Sequence, residues 1–92
     1  MVKLYKEELE KKSLSIKLFA SLKQAMNSNE IKVDIQEEIT VSQLKVKIFK
    51  TFPNLEKLNI SFFVAVNHKY ATDSVVIDTN DEIALIPPVS GG

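Results

Sequence analysis

No glycine occurs in the first ninety residues of this chain; its two glycines are Gly91 and Gly92. That restriction governs every turn. Glycine enters the left-handed region at no steric cost, so the tight turns here fall to asparagine and aspartate, whose short polar side chains tolerate positive φ. Three such places stand out: Asn27-Ser28-Asn29, Asn67-His68, and Asn80 beside Asp78 and Asp81. They divide the chain into short segments, and the hydrophobic period of each segment predicts its structure.

From Leu14, Ile16 and Leu18 alternate with Lys17 and Phe19, the period of a strand with Lys17 and Phe19 toward solvent. A helical turn is expected over Ser21 to Met26. Ile31, Val33 and Ile35 then alternate with Lys32, Asp34 and Gln36, a second strand that pairs with the first as a wide hairpin. Thr40 and Gln43 have the spacing of a capping box. Behind it Val41, Leu44, Ile48 and Phe52 recur at helical spacing, and Pro53 ends the helix, since the residue before a proline is barred from helical geometry. Lys45, Lys47 and Lys50 read as the wet face of that helix. A loop follows. The apolar run Ile60 to Val66 suits a strand covered on both faces or facing a partner. Asn67 and His68 make a two-residue turn into a return strand at Lys69, Tyr70 and Ala71. Asp73, Asp78, Asp81 and Glu82 lack the spacing of a calcium loop and read as turn and capping residues, with Asn80 at a left-handed position. No metal site is expected. Ile83 to Ile86 forms the last strand.

One domain is the expectation for 92 residues. The simplest packing is a single mixed sheet over one helix, an α+β layer. With the last strand parallel to the first, this is the β-grasp arrangement: a mixed sheet of about five strands on one main helix. Residues 1–13 read as an N-terminal extension, a weak helix or flexible arm, residues 14–86 as the β-grasp domain, and residues 87–92 as an extended tail. The formal net charge is zero, which argues against a nucleic-acid partner. Without cysteine there is no disulfide, thiolate metal site or cysteine nucleophile. No apolar run is long enough for a membrane helix, and the lysines and glutamates among residues 3–12 leave no apolar centre for a signal peptide, so a cytoplasmic protein is expected.

The tail carries the functional expectation. Pro87 and Pro88 fix φ and favour an extended path. From Pro87 to Gly92 the chain reaches about 20 Å at about 3.3 Å per residue. Val89 and Ser90 lead to Gly91 and Gly92, where the absence of Cβ leaves a thin tip. We read a stiff stalk whose terminal carboxylate enters another protein's active site. Strand parity places Phe19 with Lys17, and Ile86 with Glu82 and Ala84, with Tyr70 joining across the sheet. An exposed apolar patch beside a reactive tail marks a partner surface.

The stretch Asp81 to Gly92, DEIALIPPVSGG, resembles the carboxyl end of the molybdopterin synthase small subunit family, ubiquitin-like sulfur carriers. Ala65, Val66 and Asn67 before the turn, and Thr40, Val41 and Leu44 at the helix start, fit the same pattern. The likeness covers about Leu14 to Gly92, and the double proline, short spacer and double glycine are its most specific part. Two departures, Asn80 in place of a usual glycine and Leu85 in place of a common aromatic, leave the tail chemistry untouched. The resemblance implies a non-catalytic subunit and co-substrate in molybdenum cofactor biosynthesis. Gly92 is adenylated by a ubiquitin-activating-like enzyme that uses ATP, receives sulfur from a donor protein, and as a thiocarboxylate enters the catalytic large subunit of a heterotetramer. There its sulfur builds the molybdopterin dithiolene from a cyclic pterin precursor. It implies no cofactor bound to this chain itself. Two alternatives stand beside it: a sulfur carrier for thiamine synthesis or tRNA thiolation, and a ubiquitin-like modifier conjugated through Gly92.

Overall fold

A computed structural model describes residues 12–88. The arm over residues 1–11 and the tail residues Val89, Ser90, Gly91 and Gly92 lie outside the described residues. The chain forms β1 (Lys12–Leu18), α1 (Ala20–Met26), β2 (Glu30–Ile35), β3 (Ile39–Thr40), α2 (Val41–Thr51), α3 (Pro53–Lys57), β4 (Phe63–Val66), β5 (Lys69–Tyr70), β6 (Val76–Ile77) and β7 (Ile83–Ile86). Five strands make one mixed sheet in the order β2-β1-β7-β4-β5, and β3 and β6 pair separately. β1 and β7 run parallel in its centre, with Ile16 opposite Ile83 and Leu18 opposite Leu85. The other pairings are antiparallel. This is the expected β-grasp.

One face of β1, β2 and β7 supplies the core. Leu14, Ile16 and Leu18 of β1, Ile31, Val33 and Ile35 of β2, and Ile83 and Leu85 of β7 are buried with Val41, Leu44 and Ile48 of α2 in one cluster. Alternation thus did the sorting the sequence promised, because a period of two sends successive side chains to opposite faces. The start of α2 carries the full capping box: Gln43 N–H donates to Thr40 Oγ1 at 3.1 Å, and Thr40 N–H donates to Gln43 Oε1 at 2.8 Å. Two more N–H groups of that first turn are taken by the loop before β6, Val41 by the Val75 carbonyl (2.9 Å) and Ser42 by the Asp73 carbonyl (3.0 Å). Helix N-terminal donors without an intrahelical partner are thereby satisfied.

Several expectations change. Pro53 does end α2, but the loop expected after it is a short helix: proline is at home in a first turn, where its missing N–H is not needed, and α3 buries Leu55. Strand β1 begins at Lys12, opposite Ile35, two residues before the expected start. Of the run Ile60 to Val66 only Phe63–Val66 is strand; Ile60 and Phe62 pack on the core from irregular backbone, Phe62 with its ring centroid 6.1 Å from that of Phe49. The pair β3–β6 was not foreseen, because two-residue strands have too little period to read.

Positive φ occurs, among the described residues, at Ala20, Asn27, Asn59, Asn67 and His68. Three of these are asparagines, as a chain with no glycine in its turns demands. Asn80 is absent from that set, a correction to its expected left-handed position. Its N–H donates to Asp78 Oδ1 (2.9 Å), the Asp78 N–H donates to Asp81 Oδ2 (2.9 Å), and the Asp81 N–H reaches the Asp78 carbonyl (3.1 Å). Aspartate side chains close that turn by accepting backbone hydrogen bonds, so positive φ is not needed.

Candidate functional site

The helix-distant face of the sheet is polar on one half and apolar on the other. Residue pairing across β1, β7, β4 and β5 sets Lys17, Ala84, Ala65 and Tyr70 in one row. In the next, Ile86 lies opposite Phe63, and Phe19 follows Lys17 by the two residues that bring it to the same side. Phe19 is 46% exposed, Phe63 51% and Tyr70 70%. Such exposure of aromatic surface on one face is what a protein interface looks like before its partner arrives. The Phe63 and Tyr70 rings lie 5.2 Å apart, centroid to centroid. Together Lys17, Phe19, Ala65, His68, Tyr70, Glu82, Ala84 and Ile86 surround a depression of about 390 Å³.

The three surface residues expected from parity, Phe19, Tyr70 and Ile86, therefore line one depression. Phe63 is an addition. From Phe62 to Val66 its run is apolar at every position, so local alternation does not show which side faces out; its pairing with Ile86 shows it. Tail and patch are continuous, since Ile86 is the last residue of β7. Pro87 is buried and Pro88 exposed, so the exposed stalk begins at Pro88, one residue later than expected.

A polar rim closes the other end. Lys17 Nζ is 3.0 Å from Glu82 Oε2, and His68 Nε2 is 3.3 Å from Glu82 Oε1. His68, read as a plain turn residue, does sit in the two-residue turn, with φ of 72°, yet it also faces this carboxylate. Asn67 fastens the turn to the start of β7. Its N–H donates to the Glu82 carbonyl (2.8 Å), its amide nitrogen donates to Asp81 Oδ1 (2.9 Å), and its amide oxygen accepts from the Glu82 N–H (2.9 Å). Asp73 pairs with Lys45 Nζ at 2.9 Å. The four acidic residues thus serve turns and ion pairs.

The hydrogen bond from Lys17, and then the charge of His68, hold the Glu82 carboxyl below its ordinary range. A depressed carboxyl stabilises the fold above its unfolded-state pKa and loses that contribution as pH falls through the folded value. At so exposed a site the effect on stability is small. We expect Lys17→Ala to move the Glu82 pKa up toward the ordinary value in a carboxyl carbon-13 NMR titration. An unmoved Glu82 titration would remove Lys17 as the cause.

A five-stranded mixed sheet with parallel central strands, one main helix beneath it and a carboxyl-terminal strand running out past an apolar patch define a ubiquitin-like β-grasp protein. More closely, the chain belongs to the ThiS family, whose model matches residues 16–92. The molybdopterin synthase sulfur carrier subunit of Dictyostelium discoideum is 36% identical over 80 residues, which span 84% of this chain and 93% of that one. Its counterpart in Arabidopsis thaliana is 26% identical over 92 residues, all of this chain and 96% of the other. Among solved structures, SAMP1 from Haloferax volcanii, a small archaeal modifier protein, superposes with a TM-score of 0.75 at 30% identity, over 88% of this chain and 100% of that one.

Proposed function

We propose that this chain is the sulfur carrier and small subunit of molybdopterin synthase. The observation that carries the reading is a family match that runs through Gly91 and Gly92, with relatives of that name aligned over nearly their whole length. An oxygen of the Gly92 carboxylate attacks the α-phosphorus of ATP on an adenylating enzyme and pyrophosphate leaves. Sulfide-level sulfur delivered by a donor protein displaces AMP from the acyl carbon, the carbon–sulfur bond forming as the carbon–oxygen bond to AMP breaks, which leaves a thiocarboxylate. That sulfur attacks the cyclic pterin precursor in the large subunit. Water then cleaves the acyl–sulfur bond, so that the sulfur stays on the pterin and Gly92 returns as a carboxylate, and two such deliveries complete the dithiolene. Each step acts on one sterically bare carbon, so this chain needs no acid, base or metal of its own. It acts in the cytoplasm as a co-substrate, within a heterotetramer, with Pro88 to Gly91 inserted in the large subunit and Phe19, Tyr70 and Ile86 against its surface.

The test is the intact mass of the protein isolated from its own cells. A fraction heavier by one oxygen-to-sulfur exchange, located in the peptide that ends at Gly92, is the expected result. Likeness to SAMP1 favours a second reading, a modifier joined through Gly92 to lysines of other proteins. Conjugates heavier by a whole protein, with no sulfur-bearing form, would establish that reading in place of the first.

A further inference from the structure

The depression on the sheet is open to solvent above and walled by larger side chains around its floor. Its floor is two alanines: Ala84 of β7 lies opposite Ala65 of β4. Along each strand the next outward positions are larger, Glu82 and Ile86 around Ala84, Phe63 and Asn67 around Ala65. Across the strands Lys17 and Phe19 form one wall and Tyr70 the other. Tyr70 is braced, its ring resting 5.2 Å from that of Phe63. Asn67 braces the closed end, since its three hydrogen bonds tie the β4–β5 turn to Asp81 and Glu82. Small residues ringed by large ones, on strands held in fixed register, form a socket, and a volume of about 390 Å³ has room for one large side chain.

Its chemistry is graded. Phe19, Ile86, Tyr70 and the alanine methyls are apolar, whereas the far end presents the Glu82 carboxylate, an acceptor with lone pairs to spare beyond its bonds to Lys17 and His68. A residue with an apolar body and a donor at its tip satisfies both ends, which describes tyrosine and tryptophan. Such residues dominate the binding energy of interfaces when they fill a desolvated pocket.

We propose that the Ala65–Ala84 socket receives one tyrosine or tryptophan side chain of the large subunit, and that this anchor holds the carrier while its tail is inserted. The proposal rests on the function given above. Ile86 lines the socket and Pro88 leaves the sheet two residues later, so a ring seated there fixes the origin of the tail relative to the large subunit.

The experiment is a methyl NMR titration of the full chain, labelled at alanine and isoleucine methyl groups, with the unlabelled large subunit. A ring over the floor moves the Ala65 and Ala84 methyl protons upfield on binding. Binding seen at Ile86 without upfield movement of either alanine would overturn the socket and leave the functional reading standing. No change at any methyl would overturn both. Upfield movement on concentrating the free chain alone would assign the socket to a second copy and also overturn the proposal. As a second arm, Ala84→Phe fills the socket from within and should weaken large-subunit binding about 30-fold or more, while Lys47→Ala, exposed on α2 at the opposite side of the sheet, keeps wild-type affinity. Undiminished binding by folded Ala84→Phe protein would refute it.

Discussion

Deletion of Gly92 abolishes sulfur transfer and leaves the fold intact: that is the expected result if the proposed function holds. The deletion leaves Gly91 terminal and shortens the stalk by about 3.3 Å. A displacement of even about 1 Å can cost about 100-fold in rate, because the reacting atoms no longer meet in attack geometry. Extension by one residue past Gly92 acts at an earlier step. It turns the carboxylate into an amide, removes the oxygen that attacks ATP, and so prevents activation altogether. Gly91→Val adds a branched Cβ where a narrow channel must pass the backbone, and should slow transfer without stopping it. None of these changes touches the buried cluster between Leu14 and Leu85, so the thermal melt stays put. The assay is single-turnover conversion of the pterin precursor by the large subunit, after enzymatic sulfuration of the carrier. Normal conversion by protein lacking Gly92, or extended past it, would refute the carrier reading.

The second large effect is on stability. Leu44→Ala should destabilise the domain by about 2 to 4 kcal/mol. Leu44 is 0% exposed, on the face of α2 that also buries Val41 and Ile48, and it shares one cluster with Ile16, Leu18, Val33 and Ile83. Truncation there removes apolar contacts from the helix and the sheet at once and leaves a cavity that close-packed neighbours fill only in part. In a domain of this size the melting temperature should fall by roughly 10 to 25 °C. A melt indistinguishable from wild type would mean that Leu44 is not at the helix–sheet contact. Lys47→Ala, on the exposed side of the same helix, is the control and should change little.

Which of these features could be read without coordinates follows from how local their causes are. Alternation at Leu14, Ile16, Leu18 and at Ile31, Val33, Ile35, together with the Thr40–Gln43 box, identified both outer elements of the hairpin and the start of α2, since each is set by neighbours within a few residues. The same parity places Phe19 and Ile86 on the outward face. The exclusion of glycine from all turns likewise required asparagines at positive φ, and Asn67 met that requirement. It misled at Asn80, whose N–H donates to the Asp78 carboxylate in a turn closed without positive φ.

What tertiary structure alone decided are the relations between distant segments. Phe63 faces outward because β4 meets β7 with Phe63 against Ile86, a register no local pattern in the unbroken apolar stretch Phe62 to Val66 can set. Ala65 and Ala84 make a floor only because that register sets them side by side. Glu82 meets Lys17 across 65 positions of sequence, and its lowered pKa arises from that approach. Sequence period fixes the face on which a side chain lies, through backbone geometry repeated residue by residue. The identity of its neighbour across the sheet depends on strand order and register, which are settled by how the whole core packs.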